Sequence, residues 1–339
     1  MEISTKPAPP KITYLLGAGA SANALPMVKA SGSNKSFHES LRMFAASLES
    51  ERSTDADLSE IRNEIAKDVR WLADGTEKFK TPDTYAKFLS LKEKSNLERL
   101  KDALSFFFVY EQLVNKKIDD RALVFLTTIM ESADSIPENI KILTWNYDFQ
   151  IQLAAEAFRK EQFSFNPCSS SMEHTEPVIE YLPNHGFQNT QTDRVSLVHL
   201  NGIAGFFNMR NHGVNNSIYS VCYEKTHNEV LKLVNSFNHR EPNLLSFAWE
   251  SANSDTVKIA KEIIEETEIL VIIGYSFPFF NRAIDKQIFE TLMASGKLRK
   301  IYYQDPNRNG EFLINRFNLA GVDIKHENDT VNYYIPMEL

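Results

Sequence analysis

Four short motifs rich in glycine and small polar residues are spread over most of the 339-residue sequence. Three of them directly follow a short apolar run that is typical of a β-strand. Strands that alternate with helices form a parallel, doubly wound sheet, and ligands bind such a sheet at the carboxyl ends of its strands. The sequence therefore predicts an α/β, Rossmann-like doubly wound fold with one nucleotide pocket. The motifs that would build it are GAGAS at 17–21, TWNYD at 144–148, HLNG at 199–202 and GYSF at 274–277.

A long helical stretch separates the first strand from the second. Between about residues 36 and 132 apolar residues recur at helical spacing, beginning with Phe37, Leu41 and Phe44, and no strand pattern occurs. We therefore expect a large helical insertion in the sheet. The predicted divisions are a Rossmann-like core with the nucleotide pocket at 11–35 and 136–330, a helical insertion lobe at 36–135 and a candidate lid at 161–193.

The remaining elements follow from short apolar runs and helical periodicity. The candidate lid is rich in Pro, Ser, Asn and His and is expected to be irregular. Asn281 is expected to cap the helix that starts at Arg282. Strands are predicted at 11–16, 140–144, 195–200, 269–273, 300–304 and 322–325, and helices at 149–159, 256–266, 282–294 and 310–319.

Composition excludes several classes of protein. The net charge of −8 argues against direct nucleic-acid binding, which uses a basic surface. The longest apolar runs, such as 269–273, are far shorter than the ~20 residues of a membrane span, and the first residues do not resemble a secretion signal. Two cysteines exclude a zinc site built on four cysteines and a disulfide scaffold. We expect a cytoplasmic protein with no membrane segment and no metal.

The GAGAS motif fits a phosphate-binding turn. Its glycines allow a tight turn and a close approach to a pyrophosphate, and a following helix would add amide donors. The alternative is a tight turn with no ligand. A dehydrogenase would carry an acidic residue at the end of a second strand about 20 residues later, but the sequence around Glu39 is helical in pattern. The candidate binding residues here are Gly17, Ala18, Gly19 and Ser21.

TWNYD and HLNG supply the candidate catalytic side chains. The Asn146 amide can both donate and accept, so it could hold a ribose hydroxyl or a water, and Asp148 could orient it. The alternative is that Asp148 only caps a helix. His199 could act as a general base near neutral pH. The alternative for His199 is a histidine packed within a strand.

The third group of candidates lies near the end of the chain. Gly274 would let the backbone approach a ligand, and Ser276 could bond a phosphate or a ribose. Asp305, at the end of its strand, is a candidate for the adenosine ribose. The alternatives are a strand-exit turn at GYSF and an ordinary turn at Asp305.

Together the four motifs resemble the sirtuin-like NAD-binding domain, and most closely its zinc-free branch from bacterial anti-phage defence systems. The resemblance implies that NAD+ is the substrate and is hydrolysed to nicotinamide and ADP-ribose without a metal. It implies that GAGAS holds the pyrophosphate, that Asn146 and Asp148 grip the nicotinamide ribose, and that Gly274 and Ser276 line the adenosine side. The zinc module of the deacetylases needs four cysteines, which this chain lacks.

One departure from the family concerns the catalytic histidine. The family places it directly before the glycine, whereas here Asn201 precedes Gly202 and His199 lies three residues before that glycine. In an extended strand His199 and Asn201 would share a face, with the histidine about 6.6 Å further back. Three alternatives follow: His199 acts from there, Asn146 and water act alone, or the enzyme is weak. We favour the first.

The sequence thus predicts an NAD+ hydrolase that acts as an anti-phage effector. Such an activity would need a gate, through homo-oligomerisation or a partner such as an ATPase or another defence subunit. The main alternative is a non-catalytic sensor of NAD or ADP-ribose, or an assembly subunit of a defence complex. A zinc-free deacylase is a third.

Overall fold

The computed structural model describes most of the chain. The candidate lid at 161–193 lies outside the described residues, apart from the short strand at 181–182. The described residues are 8–29, 35–51, 55–132, 135–156, 158, 181–182, 195–206, 227–237, 243–252 and 254–339.

In the described part of the chain, seven parallel strands form the main sheet in the order β3-β4-β2-β1-β7-β8-β9, and β5 and β6 form a separate antiparallel pair. Without the short edge strand β3, this is the strand order of a doubly wound Rossmann sheet. The predicted α/β fold class is confirmed. The strands are β1 (Ile12–Leu16), β2 (Ile140–Thr144), β3 (Tyr181–Leu182), β4 (Leu197–His199), β5 (Gly202–Phe206), β6 (Asn243–Leu245), β7 (Ile269–Ile273), β8 (Lys300–Gln304) and β9 (Asp323–Glu327).

Helices cover both faces of the sheet, which is why the central strands are apolar along their whole length. Residues of β1 alternate between the two faces: Tyr14 and Leu16 join one buried cluster, and Leu15 joins the other. The helices are α1 (Phe37–Ser50), α2 (Ala56–Phe79), α3 (Pro82–Lys92), α4 (Lys94–Val109), α5 (Asp120–Ile129), α6 (Gln150–Glu156), α7 (His227–Phe237), α8 (Ala248–Ser251), α9 (Asp255–Glu265), α10 (Arg282–Ala294) and α11 (Glu311–Phe317).

The helical insertion lies between β1 and β2. Helices α1 to α4 share one apolar cluster with residues of α6, α7, β5 and β6, and a π-helical turn at Tyr110–Val114 follows α4. Capping side chains define the helix starts: Asp55 accepts from the backbone N–H of Leu58, and Thr81 from that of Thr84. Helix α5 instead packs on the sheet through residues such as Phe125. The division at 36–135 stays a prediction.

Three local expectations are wrong. GAGAS does not open an α-helix, because only a short 3-10 turn at Ala18–Ser21 follows Gly17 and the next helix starts at Phe37. The third predicted strand is shorter than expected and ends at His199. Asn281 precedes α10 but does not cap it, since its side-chain amide donates to the Tyr275 hydroxyl. In the described residues, no helix combines the length and the apolar character that crossing a membrane requires.

Candidate functional site

A small cavity lies at the carboxyl ends of β1, β2 and β4. Its volume is about 10 Å³, which is about the space of one water molecule. A nucleotide would therefore lie largely outside the cavity as it stands. The cavity is lined by Leu16, Ala20, Ser21, Thr144, Asn146, Asp148, Gln150, Ile151, Gln152, His199 and Tyr333.

The cavity contains all three predicted catalytic residues and one predicted pyrophosphate ligand, Ser21. The Asn146 side-chain amide donates to the Ser21 hydroxyl over 3.1 Å. Ser21 and Asn146 also hydrogen-bond the Asp148 carboxylate, and the backbone N–H of Gln150 donates to it over 3.2 Å. A serine, an asparagine and an aspartate from two loops thus meet in one buried cluster.

Burial raises the pKa of Asp148 to about 6, although the hydrogen bonds from Ser21 and the Gln150 backbone lower it. The nearby carboxylate of Asp119 adds to the increase. Asp148 is therefore largely ionised at neutral pH but can hold a proton slightly below it. Among the described residues, no lysine or arginine lines the cavity. The cavity suits a polyhydroxylated or cationic group better than a phosphate.

The TWNYD loop is held by hydrogen bonds to three other segments of the chain. Trp145 donates its backbone N–H to Leu16 of β1 over 3.0 Å, and the Tyr147 carbonyl accepts from Ala204 of β5 over 2.7 Å. The Tyr147 hydroxyl donates to Asp83 of the helical insertion over 2.7 Å. The loop that carries the candidate catalytic residues is therefore tied to the sheet and to the insertion.

His199 is buried and both of its ring nitrogens are engaged. Nδ1 lies 3.2 Å from the Asn146 carbonyl, which can only accept, so Nδ1 carries the proton. Nε2 then accepts from the Gln152 side-chain amide at 2.8 Å. Burial lowers the pKa of His199 to about 4, so the ring is neutral at physiological pH. These bonds orient Asn146 and leave neither ring nitrogen free to take a proton from water.

Asn201 and Gly202 do not line the cavity. Because β4 ends at His199, the alternation of an extended strand does not continue to Asn201, and the expected shared face is not formed. The Asn201 amide instead donates to the Trp145 carbonyl over 3.2 Å. Gly202 has φ +67°, and an added Cβ would lie 2.1 Å from the Leu244 carbonyl oxygen. Both residues hold the β5–β6 pair against the TWNYD loop.

The glycines of GAGAS and GYSF pack against each other. Gly19 donates its backbone N–H to the Gly274 carbonyl over 2.9 Å. A Cβ on Gly17 would lie 2.5 Å from the Tyr275 Cα, and one on Gly274 would lie 2.5 Å from the Gly19 Cα. Gly274 also has φ +59°. The glycines are thus needed for contact between the loops after β1 and β7, whether or not a ligand binds beside them.

Ser276 and Asp305 lie outside the cavity. Ser276 is exposed, and its carbonyl accepts from Arg308 over 2.6 Å. Asp305 is buried and accepts from the backbone N–H of Asn307 over 2.7 Å, as in an ordinary turn. The structure therefore brings these two predicted adenosine contacts to the ends of β7 and β8 but not to Asn146. Ala18 belongs to the 3-10 turn and does not line the cavity.

Several residues that line or support the cavity carry no sequence signal. Gln150 and Gln152 begin α6, and Tyr333 comes from the segment after β9. Arg121, at the start of α5, reaches the GAGAS carbonyls. No spacing rule marks these residues, because tertiary packing alone brings them to the site. In the described part of the chain no three His, Cys, Asp or Glu residues cluster so that they could hold a metal ion.

Comparisons with known proteins add little to this geometry. No family model matches the chain, and no curated protein matches it. Among solved structures, the chain is similar to Sir2Tm bound to a propionylated peptide, with 11% identity and a TM-score of 0.36 over 94% of this chain and 88% of that one. At that TM-score the likeness carries no argument about function.

Proposed function

We propose that this protein is an NAD+ glycohydrolase that cleaves the bond between nicotinamide and ribose. The observation that supports the proposal is the buried cluster of Ser21, Asn146 and Asp148 in a small cavity that no lysine or arginine of the described residues lines. The acceptors of this cluster suit ribose hydroxyls. The resemblance of the four motifs to the sirtuin-like domain supports NAD+ as the source of that group.

The reaction needs little acid catalysis, because nicotinamide leaves as a neutral molecule. The C–N bond breaks with its electron pair on the nicotinamide nitrogen and leaves an oxocarbenium-like ribosyl group. A water molecule then adds to the anomeric carbon and loses a proton, which gives ADP-ribose. The ionised Asp148 stabilises the positive charge electrostatically, and with a pKa of about 6 it can accept that proton.

Asn146 and Ser21 position the ribose and the water in this mechanism. The Asn146 side chain already donates to Ser21, so its oxygen is held in one direction. We assign His199 to orienting Asn146 through its carbonyl, since both ring nitrogens are engaged. The general-base role predicted for His199 stays a prediction that the His199→Ala variant tests: full retention of activity would contradict both roles.

The pyrophosphate and the adenosine would lie outside the cavity, along the loops after β1, β7 and β8. Gly17, Gly19, Gly274, Ser276 and Asp305 belong to those loops. By the family resemblance we further propose an anti-phage effector that is held inactive until oligomerisation or a partner subunit, such as an ATPase, activates it.

The test measures the release of nicotinamide from NAD+ by chromatography. The protein encoded by the neighbouring gene is added to the reaction. We expect release by the wild type and its loss in Asn146→Ala. The matched control is Asn139→Ala, because Asn139 lies at the opposite end of β2, where its amide donates to the Pro10 carbonyl over 3.0 Å. Equal activity in Asn146→Ala and Asn139→Ala would refute the proposal.

A second candidate function is a sensor that binds NAD or ADP-ribose without turnover. The neutral, fully hydrogen-bonded His199 favours it, because Asp148 is then the only free base among the described residues that line the cavity. Calorimetric binding of NAD+ with no nicotinamide release under any activating condition would support the sensor over the enzyme.

A further inference from the structure

The carbonyl of Ala20, directly before Ser21, is held by two buried side chains. The Tyr333 hydroxyl donates to it over 2.6 Å, and Arg121 Nη2 donates to it over 3.1 Å. Arg121 Nη2 also lies 3.2 Å from the Gly19 carbonyl. A carbonyl oxygen has two lone pairs, so the Ala20 carbonyl is fully engaged. Because the peptide group is planar, its direction also fixes the start of Ser21.

Arg121 is itself held rigidly. Asp119 accepts from its Nε over 2.9 Å and from its Nη2 over 2.6 Å, which is a two-point contact. Asp119 also accepts from the backbone N–H of Asn23, just beyond GAGAS. The Asp119 backbone N–H donates to the Gln150 side chain over 2.6 Å. The ion pair thus connects the GAGAS loop with the start of α6.

Tyr333 reaches the cavity from the segment that follows β9. Gln304, at the end of β8, donates to the Asn332 carbonyl over 2.7 Å and accepts from the Tyr334 backbone N–H over 3.1 Å. Arg121 Nη1 donates to the Thr330 carbonyl over 3.2 Å. These bonds on both sides of Tyr333 place its ring in the cavity wall, where it is 5% exposed.

We propose that Tyr333 and Arg121 are positioning residues of the site, and that they act by fixing the Ala20 carbonyl. A fixed Ala20–Ser21 peptide keeps the Ser21 hydroxyl against Asn146 and Asp148. Without it, Ser21 loses that alignment while the cavity wall remains. The inference deepens the proposed function and depends on it only for its kinetic readout.

The test variant is Tyr333→Phe, which keeps the ring and removes the bond to Ala20. The control is Tyr302→Phe, because the Tyr302 hydroxyl bonds Glu338 of the same segment over 3.0 and 3.1 Å without lining the cavity. Ser21→Ala gives the size of the full effect. The melting temperature of each variant shows that it is folded.

The first readout is the pKa of Asp148, measured by an NMR titration of protein with 13C-labelled aspartate. The Asp148 signal is the one that is missing in Asp148→Asn. The Ser21 hydrogen bond lowers this pKa. The pKa should therefore rise in Tyr333→Phe toward its value in Ser21→Ala and stay unchanged in Tyr302→Phe. The second readout is hydrolysis of NAD+, in which Tyr333→Phe should lower kcat about tenfold and change KM less than about twofold.

An unchanged pKa of Asp148 in Tyr333→Phe would overturn the inference, even if the melting temperature fell. A kcat that falls equally in both tyrosine variants would also overturn it, because loosening of the segment would then be the cause. If the wild type releases no nicotinamide, the proposed function fails, and the titration of Asp148 alone decides this inference.

Discussion

Replacing Asp148 by asparagine should stabilise the fold at neutral pH and remove the proposed NAD+ hydrolysis. The pKa of Asp148 is about 6 in the folded protein against an ordinary value of 3.8, because burial disfavours the carboxylate. One pKa unit corresponds to about 1.4 kcal/mol, so the ionised group costs the fold about 3 kcal/mol above pH 7. Asparagine keeps an acceptor for the Gln150 N–H and carries no charge.

The pH dependence of this gain gives the sharper test. The folded state binds the proton more tightly than the unfolded state, so the contribution of Asp148 to stability falls as pH rises from about 4 to about 6. The gain in Asp148→Asn should be about 3 kcal/mol at pH 7.5 and about half of that at pH 5. Urea unfolding at both values measures it, with Asp323→Asn as an exposed control expected to change little. A gain that is equal at both values, or a loss at pH 7.5, would refute the reasoning.

Three further predictions concern packing and buried ionisable groups. Gly274→Ala places a Cβ 2.5 Å from the GAGAS backbone at φ +59°, whereas Gly296→Ala at φ +66° meets nothing within 4 Å. In denaturant unfolding, Gly296→Ala should lose only the ~1–2 kcal/mol of stability that a left-handed conformation costs, and Gly274→Ala should lose more. Equal losses of stability in the two variants would contradict the close packing of Gly274. Burial lowers the pKa of His199 from 6.5 to about 4, so the folded protein loses stability as the pH falls through that range. His199→Gln should remove about 2 kcal/mol of this loss between pH 7.5 and pH 5. The same loss of stability in the variant and the wild type over that range would contradict the prediction. Tyr275→Phe removes the hydroxyl that donates to both carboxylate oxygens of Asp285, and burial raises the pKa of Asp285 to about 7. The variant should lose about 1–3 kcal/mol of stability, and more at pH 8.5, where Asp285 is ionised, than at pH 6. Thermal unfolding that shows the same loss at both pH values would contradict this prediction.

The elements of the sheet could be predicted because their signals are local. Five-residue apolar runs such as ILVII at 269–273 have no helical periodicity and are bounded by turn residues. The predicted bounds of these strands therefore agree with the observed bounds within two residues. The meeting of Asn146, Asp148 and His199 also followed from one rule, since they lie where parallel strands end.

The rest of the site could not be predicted, because it depends on contacts between segments distant in sequence. The glycines of GAGAS are equally compatible in sequence with a bound phosphate and with close packing on the backbone of Gly274. Only the folded structure shows which of these contacts they make. Gln152 hydrogen-bonds Nε2 of His199, yet no sequence pattern pairs these two residues. Tyr333 enters the cavity from a segment in which nothing marks a ligand contact.

The central position of β1 has a consequence for synthesis of the protein. Ile12 pairs on one side with Ile140 and on the other with Ile269, in a chain of 339 residues. One apolar edge of β1 therefore stays uncovered until β7, far along the sequence, has been synthesised. The GAGAS loop cannot pack on Gly274 before then. A nascent chain therefore has no assembled cavity until Tyr333, which lines it, has been synthesised.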